Sequence, residues 1–294
     1  MKIDLFDDDE LFDEEPAKPR QRPPREPRRR LGSGETAKRV LVALPWIVFA
    51  IAITVAGGIV FAAAMIAMGV VAIREFAGIA RRYRPLVVPA YLSVAALVIA
   101  AELGTAFNLL YVLVAAFALI FAFAAQQREG ATAAMGVTLL GVVWIGIPLA
   151  HAVLLRELPD HGAALLIDVL VGTFVADSAA YATGRMFGSH KIAPNLSPNK
   201  TVEGLVGGFV IGTMGLWFAG LYQDWLSGVD ALTLGAAVAA VAPLGDLFES
   251  MLKRDLGTKD TGTLFGPHGG LLDRLDAVFF TIVVGYYLSV AVVY

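Results

Sequence analysis

The run VLVALPWIVFAIAITVAGGIVFAAAMIAMGVVAI, residues 40–73, carries no charged side chain over 34 positions and is interrupted only by Gly57-Gly58. A bilayer core takes about 20 apolar residues per helix, with a working range of roughly 17–25. Thirty-four residues are too many for one span and enough for two that turn at the glycine pair. Read outward in the same way, the hydropathy predicts helices over 40–56, 58–80, 85–103, 107–126, 132–154, 162–184, 203–222, 230–252 and 274–293. The fold class is all-α, a polytopic integral membrane protein of about nine spans.

Composition supports this. Of the 294 residues, 57% are apolar and 17% charged, against roughly 45–50% and 25% in soluble globular chains. Residues 1–39 hold 10 Lys/Arg and 10 Asp/Glu, which leaves 29 charges for the remaining 255 residues. So few charges cannot cover a water-soluble body of that size. The absence of cysteine excludes disulfides, thiolate catalysis and Cys-ligated metal, and four scattered histidines do not suggest a histidine cage.

The first segment is different in kind. Asp7 to Glu15 is acidic, Pro16 to Arg30 is a Pro/Arg tract, and five of the 14 prolines lie there. Such a segment has little apolar surface with which to offset ordering entropy, so 1–38 reads as a disordered tail whose basic half lies near anionic lipid. It lacks the apolar core and cleavage site of a signal peptide. Residues 39–160 then form the N-terminal transmembrane helices and 161–294 the C-terminal region that carries the chemistry. Neither an internal repeat nor a matched pair of broken helices is evident.

Loop charge checks the topology. With the N-terminus cytoplasmic, 22 of the 23 Lys/Arg residues fall inside and one, Arg156, outside, as expected if basic residues stay on the cytoplasmic side. The intramembrane acids then become informative, because charge in a bilayer is costly and usually functional. Asp177 precedes Tyr181 and Arg185 at i+4 and i+8. Asp246, Glu249, Ser250 and Lys253 form one stripe at i, i+3, i+4 and i+7, and Asp273 and Asp276 open the last helix. Three carboxylate groups thus reach one depth, at the inner edge. For any single group an ion pair between or along helices, such as Asp177 with Arg185 or Glu249 with Lys253, explains the residues as well.

Between the last two helices, Lys253 to Gly270 contains five glycines and the cations Lys253, Arg254 and Lys259. Glycine lets backbone N–H groups approach phosphate, and the cations compensate its charge. Asn195 to Gly204, with Ser197, Asn199 and Lys200, is a second inner loop of this type, and a helix start follows it. Either loop alone reads equally well as a connector with positive-inside charge. Together with the carboxylates they point to phosphoryl or nucleotidyl transfer assisted by a hard divalent cation such as Mg²⁺.

These residues also resemble a known family. Ser250-x-Leu252-Lys253-Arg254, Lys259-Asp260-x-Gly262-x-x-Phe265-Gly266-x-His268-Gly269-Gly270-Leu271 and Asp273-Arg274-Leu275-Asp276 match the signature of the phosphatidate cytidylyltransferases (CDP-diacylglycerol synthases) over 250–276. Asp177 to Gly188, Ser197 to Gly204 and Gly245 to Ser250 resemble further blocks of that family. The resemblance covers roughly 58–294 in topology and is specific from 174 onward; the tail lies outside it. It implies the reaction of CTP with phosphatidate to give CDP-diacylglycerol and diphosphate, with Mg²⁺ and room for a second cation.

On this sequence the resemblance ranks Asp246 and Asp273 first as metal carboxylates and Asp177 and Asp276 second. Lys253, Arg254, Lys259, Lys200 and Arg274 would grip the triphosphate and phosphatidate. Ser250, Ser197, Asn199, Arg185, Gly269 and Gly270 would shape the binding site. His268 is either a general base or a structural, phosphate-donating group. Glu75 is expected to pair with Arg74 or nearby cations.

The expected setting is a bacterial plasma membrane with the site facing the cytoplasm, no nucleic-acid partner, and a homodimer through the N-terminal helices. Two alternatives remain open on these residues: a CTP-dependent lipid or polyprenol kinase, and a secondary transporter. Transport sites lie near the midplane, whereas these acids lie at the edge. The Asp-Gly-x-x-Ala-Arg motif of the CDP-alcohol phosphatidyltransferases is not present.

Overall fold

The computed structural model describes Pro45 and residues 47–194, 196–262 and 269–294. The chain divides into two units, the second of them Ile47–Tyr294; the expected tail and the start of the first span lie outside the described residues. Within the second unit the elements are α1 (Ile47–Ala56), α2 (Gly58–Ile79), α3 (Val87–Leu103), α4 (Ala106–Ala124), α5 (Ala131–Arg156), α6 (Gly162–Phe187), α7 (Val202–Gly220), α8 (Gly228–Asp255) and α9 (Leu272–Val292). Among the described residues, α2 and α4 to α9 are seven helices long and apolar enough to cross a bilayer, and α1 and α3 are shorter apolar helices. The chain is an all-α polytopic membrane protein. Length and composition qualify seven spans, and the expected nine requires the two shorter helices as well.

One element is absent from the sequence-based expectation. The segment between α6 and α7 folds as an antiparallel hairpin, β1 (Lys191–Ala193) and β2 (Ser197–Thr201), with Lys191 opposite Thr201 and Ala193 opposite Ser197. Strands this short, one containing Pro198, show no alternation that a sequence reading can detect. Glu203 at the start of α7 holds the hairpin entry, accepting from the Ser189 N–H at 3.0 Å and meeting His190 Nδ1 at 2.6 Å. Thr201 caps α7 by accepting from the Gly204 N–H at 3.1 Å, the usual service of a threonine at that position.

The expected turn at the glycine pair is a helix break with left-handed backbone. Gly57 and Gly58 have φ of 60° and 49°, a region that costs L-residues roughly 1–2 kcal/mol. The break is held from α5. Arg156 donates from Nε to the Thr54 carbonyl at 3.0 Å and from Nη2 to Val55 at 3.4 Å, closing the end of α1. Glu157 accepts from the Gly58 N–H at 3.1 Å, opening α2, and pairs with Arg156 at 2.9 Å. A Cβ at Gly57 would fall 1.7 Å from the Arg156 guanidinium.

α6 and α7 pack backbone to backbone. Gly204, Gly208 and Gly212 on α7 face Ala176, Ala180 and Gly184 on α6, both sets at i, i+4, i+8. A Cβ at Gly204 would meet the Ala180 carbonyl at 2.7 Å, and one at Gly208 the Ala176 carbonyl at 2.9 Å. In lipid, where burying apolar surface gains little, such small-residue seams let dispersion hold helices together. α8 and α9 cross as closely, because a Cβ at Gly245 would lie 2.2 Å from the Asp276 carbonyl oxygen.

Next to the α8–α9 crossing lies an aromatic hub. α5 contains a π-helical turn over Val142–Gly146, and Trp144 on it meets Phe76 of α2, Phe248 of α8 and Phe279 of α9 edge-on, with centroids 5.3–6.1 Å apart. Offset and edge-on pairs of this kind contribute about 0.5–1.5 kcal/mol beyond burial. The hub joins four helices, and its α8 member, Phe248, lies between Asp246 and Glu249 in the chain.

If the α6–α7 seam holds the hairpin in place, Gly208→Val should destabilise the protein by about 1–3 kcal/mol, read as a lower unfolding temperature in detergent. Gly136→Ala, where a Cβ meets nothing within 4 Å, should leave that temperature unchanged.

Candidate active site

The polar stripe of α8 is the spine of the site. Ser250 Oγ donates to Asp246 Oδ1 at 3.4 Å and Lys253 Nζ to Glu249 Oε2 at 2.6 Å, each across one helical turn. The neighbouring elements then converge on it. Lys200, at the end of β2, reaches Asp246 Oδ2 at 2.7 Å and the Pro243 carbonyl at 3.4 Å. Asp273 of α9 receives Lys253 Nζ on Oδ1 at 2.8 Å. Asp177 of α6 interacts electrostatically with Asp246 and Lys200. Asp276 of α9 does so with Glu249, Asp246 and Asp177, and accepts from the Ala277 N–H at 2.8 Å.

The result is one cluster from α6, β2, α8 and α9: the ammonium groups of Lys200 and Lys253 pair with Asp246, Glu249 and Asp273, and Asp177 and Asp276 interact electrostatically with that set. Its formal charge is negative, which favours a cation at its open side. That side is at Asp246, 41% exposed, whereas Glu249 is 1% exposed. Glu249 Oε1 is buried without a hydrogen-bond partner.

Asp273 has a different environment. Besides Lys253, its Oδ2 accepts from the Thr261 N–H at 3.0 Å, the Thr261 hydroxyl at 2.8 Å and the Gly270 N–H at 2.7 Å. It therefore ties Thr261, midway along the glycine-rich loop, and Gly270, at its end, to the start of α9. Gly269, at φ 88°, makes the turn that brings the Gly270 N–H to this carboxylate.

The remaining expected residues are distributed around this cluster. Arg185 turns to the Tyr181 hydroxyl at 3.0 Å, so the pair considered for Asp177 is replaced by an exposed arginine–tyrosine contact. The Glu249–Lys253 pair is present, and Lys253 extends it to Asp273. Arg254 reaches the Leu196 carbonyl at 3.5 Å, joining α8 to the hairpin. Ser197 is half-buried and Asn199 exposed on β2, and Lys259 is exposed on the loop. Arg274 sits in the first turn of α9. His268 lies outside the described residues, as do Thr263 to Pro267.

For Glu75 of α2 the sequence predicts a partner in Arg74 or a nearby cation. Glu75 instead accepts the Leu271 N–H on Oε1 and the Leu272 N–H on Oε2, both at 3.0 Å. Its only sequence signal was its place as a carboxylate ending an apolar run; its partners lie 196 and 197 positions away.

Residues 37–292 match a family model described as the cytidylyltransferase family, and the chain belongs to that family. It is similar to the phosphatidate cytidylyltransferase of Haemophilus influenzae, 42% identical over 125 residues, 41% of this chain and 43% of that protein. The Thermotoga maritima enzyme of the same name is 41% identical over 133 residues, 43% of this chain and 49% of the relative. The Bacillus subtilis one is 34% identical over 155 residues, 52% and 58%. The chain thus spans about half the length of the curated relatives it matches.

The two lysines should separate in their effects. Lys253→Met leaves Glu249 and Asp273 facing each other in a buried place and should cost about 3–5 kcal/mol. Lys200→Met leaves the partly exposed Asp246 unpaired and takes the neighbouring cation from Asp177, and should cost less, about 1 kcal/mol. Thermal unfolding in detergent distinguishes the two.

Proposed function

We propose that the chain transfers the cytidylyl group of CTP to phosphatidate, producing CDP-diacylglycerol and diphosphate in phospholipid synthesis. The observation that carries this reading is the meeting of carboxylates from three helices with two lysines at a single end of a membrane bundle, beside a glycine-rich loop. There a soluble nucleotide and a lipid headgroup can both arrive. Family membership and the names of the relatives support it.

The chemistry needs little from the protein beyond placement and charge. A phosphate monoester has a second pKa near ~6 and is already a dianion at neutral pH. Its oxygen attacks the α-phosphorus of CTP, the new P–O bond forms, and the bond to the β-phosphate oxygen breaks in line, releasing diphosphate. Lys200, at the hairpin's end, is placed to exchange Asp246 for a phosphate oxygen. Lys259, Arg254, Arg185 and Arg274 would supply further positive charge to the phosphates. Asp273 and Lys253 hold the loop and α9 in register, so the phosphates meet a preset frame. His268 is not required as a base, since the nucleophile carries no proton to remove.

The donor set fits a hard divalent cation. Among the described residues no three acidic or histidine side chains are arranged to hold a metal alone, but Mg²⁺ commonly takes one or two carboxylates and completes its shell with water and substrate phosphates. Asp246 would hold it, with Asp177 and Asp276 beside it; Asp273 is already engaged by four donors. When bound, the ion would neutralise charge developing on the leaving diphosphate. The same reading puts the N-terminus and the site on the cytoplasmic side of a bacterial plasma membrane, and a homodimer through the N-terminal helices is compatible with it.

Purified protein in phosphatidate–detergent micelles, supplied with Mg²⁺ and CTP labelled at the α-phosphate, should move label into a chloroform-soluble CDP-lipid. Asp246→Asn should lower that transfer by about 100-fold or more, and chelation should abolish it. Label reaching lipid only from γ-labelled CTP would make the protein a kinase. No transfer, with solute flux into proteoliposomes, would make it a transporter.

A further inference from the structure

We propose that Glu75 is a positioning residue for the transfer: carried on α2, it clamps the neck of the glycine-rich loop and so fixes the frame in which Asp273 and Lys253 act. The proposal rests on the transferase reading above and concerns how its site is held. α9 begins at Leu272, and its preceding residue, Leu271, offers no side-chain cap. Free N–H groups at a helix start carry partial positive charge and require acceptors. Here the carboxylate comes from another helix, with one oxygen on Leu271 N–H and the other on Leu272 N–H, both at 3.0 Å.

A second, independent observation comes from the loop. A Cβ built at Gly262 would lie 2.6 Å from Glu75 Oε1, and one at Gly270 would lie 2.4 Å from Oε2. Both glycines have ordinary negative-φ backbone, so turn geometry does not demand them. The space their missing side chains leave is occupied by the Glu75 carboxylate, between the outgoing and returning strands of the loop. Gly270 then passes its N–H to Asp273 at 2.7 Å, and Asp273 accepts from Lys253 at 2.8 Å. Hydrogen bonds therefore run from α2 through the loop neck to the cluster, with no contact between Glu75 and the reacting groups required.

The test compares Glu75→Gln, Glu75→Ala, Gly270→Ala and the double variant Glu75→Ala/Gly270→Ala in detergent–phosphatidate micelles. Glutamine matches the size of glutamate but presents an amide donor to one of two N–H donors. Glu75→Gln and Gly270→Ala should each lower kcat by about 10–100-fold, with KM for CTP and the unfolding temperature little changed. Without the carboxylate a Cβ at position 270 has room, so the double variant should be no slower than Glu75→Ala alone.

Multiplying losses in the double variant, or a fall in unfolding temperature matching the loss of rate, would overturn the proposal. So would full activity in Glu75→Gln. Amide hydrogen exchange at Leu271 and Leu272, measured without substrate, should quicken in Glu75→Gln; unchanged exchange counts against the clamp. That readout needs no turnover. A wild-type protein that moves no cytidylyl group but shows the faster exchange on substitution would retain the clamp and refute the transferase reading.

Discussion

Lys253 serves two carboxylates from two helices, Glu249 one turn back on α8 and Asp273 at the start of α9, at 2.6 and 2.8 Å. In a low-dielectric body, either acid alone would be expensive to bury, and the lysine alone as well. Sharing the ammonium fixes the rotation of α8 against α9 and holds the root of the loop between them. The close crossing at Gly245 and the aromatic hub around Trp144 supply the packing that keeps these charges at that spacing. Much of the site's geometry follows from satisfying this one cation.

The second constraint is steric. The seam of Gly204, Gly208 and Gly212 on Ala176, Ala180 and Gly184 brings α7 so near α6 that the hairpin between them lies against the cluster, with Lys200 at its end. Asp177 is on the same face of α6 as Ala180 and Gly184. The seam that joins the helices thus also sets the distance from Asp177 to Asp246 and Lys200.

Much of this was legible from residue order. The break at Gly57-Gly58 and the helix positions follow from runs of apolar residues, and the α8 stripe from helical spacing. Both are short-range patterns. The hairpin was missed because three- and five-residue strands carry no readable period. An ion pair of Arg185 with Asp177 was one alternative because both lie on one helical face, but Tyr181, one turn nearer, takes the guanidinium. Asp273 looked like a free ligand because its partners Thr261 and Gly270 come to it only when the loop closes. For Glu75 the sequence predicts a cation because charge alone can be read; its backbone partners lie almost two hundred residues along the chain, beyond any local pattern.

Arg156 is the single basic residue on the outer side of the expected topology, and its guanidinium is spent on the last carbonyls of α1. The acceptors at Thr54 and the donor are 102 positions apart. A chain emerging vectorially from the ribosome therefore makes the α1–α2 elbow long before the group that secures it exists. Until α5 has been threaded, the first two helices must wait with an unsealed corner in the membrane. The order of synthesis thus makes the end of α5 the point at which the N-terminal half can set.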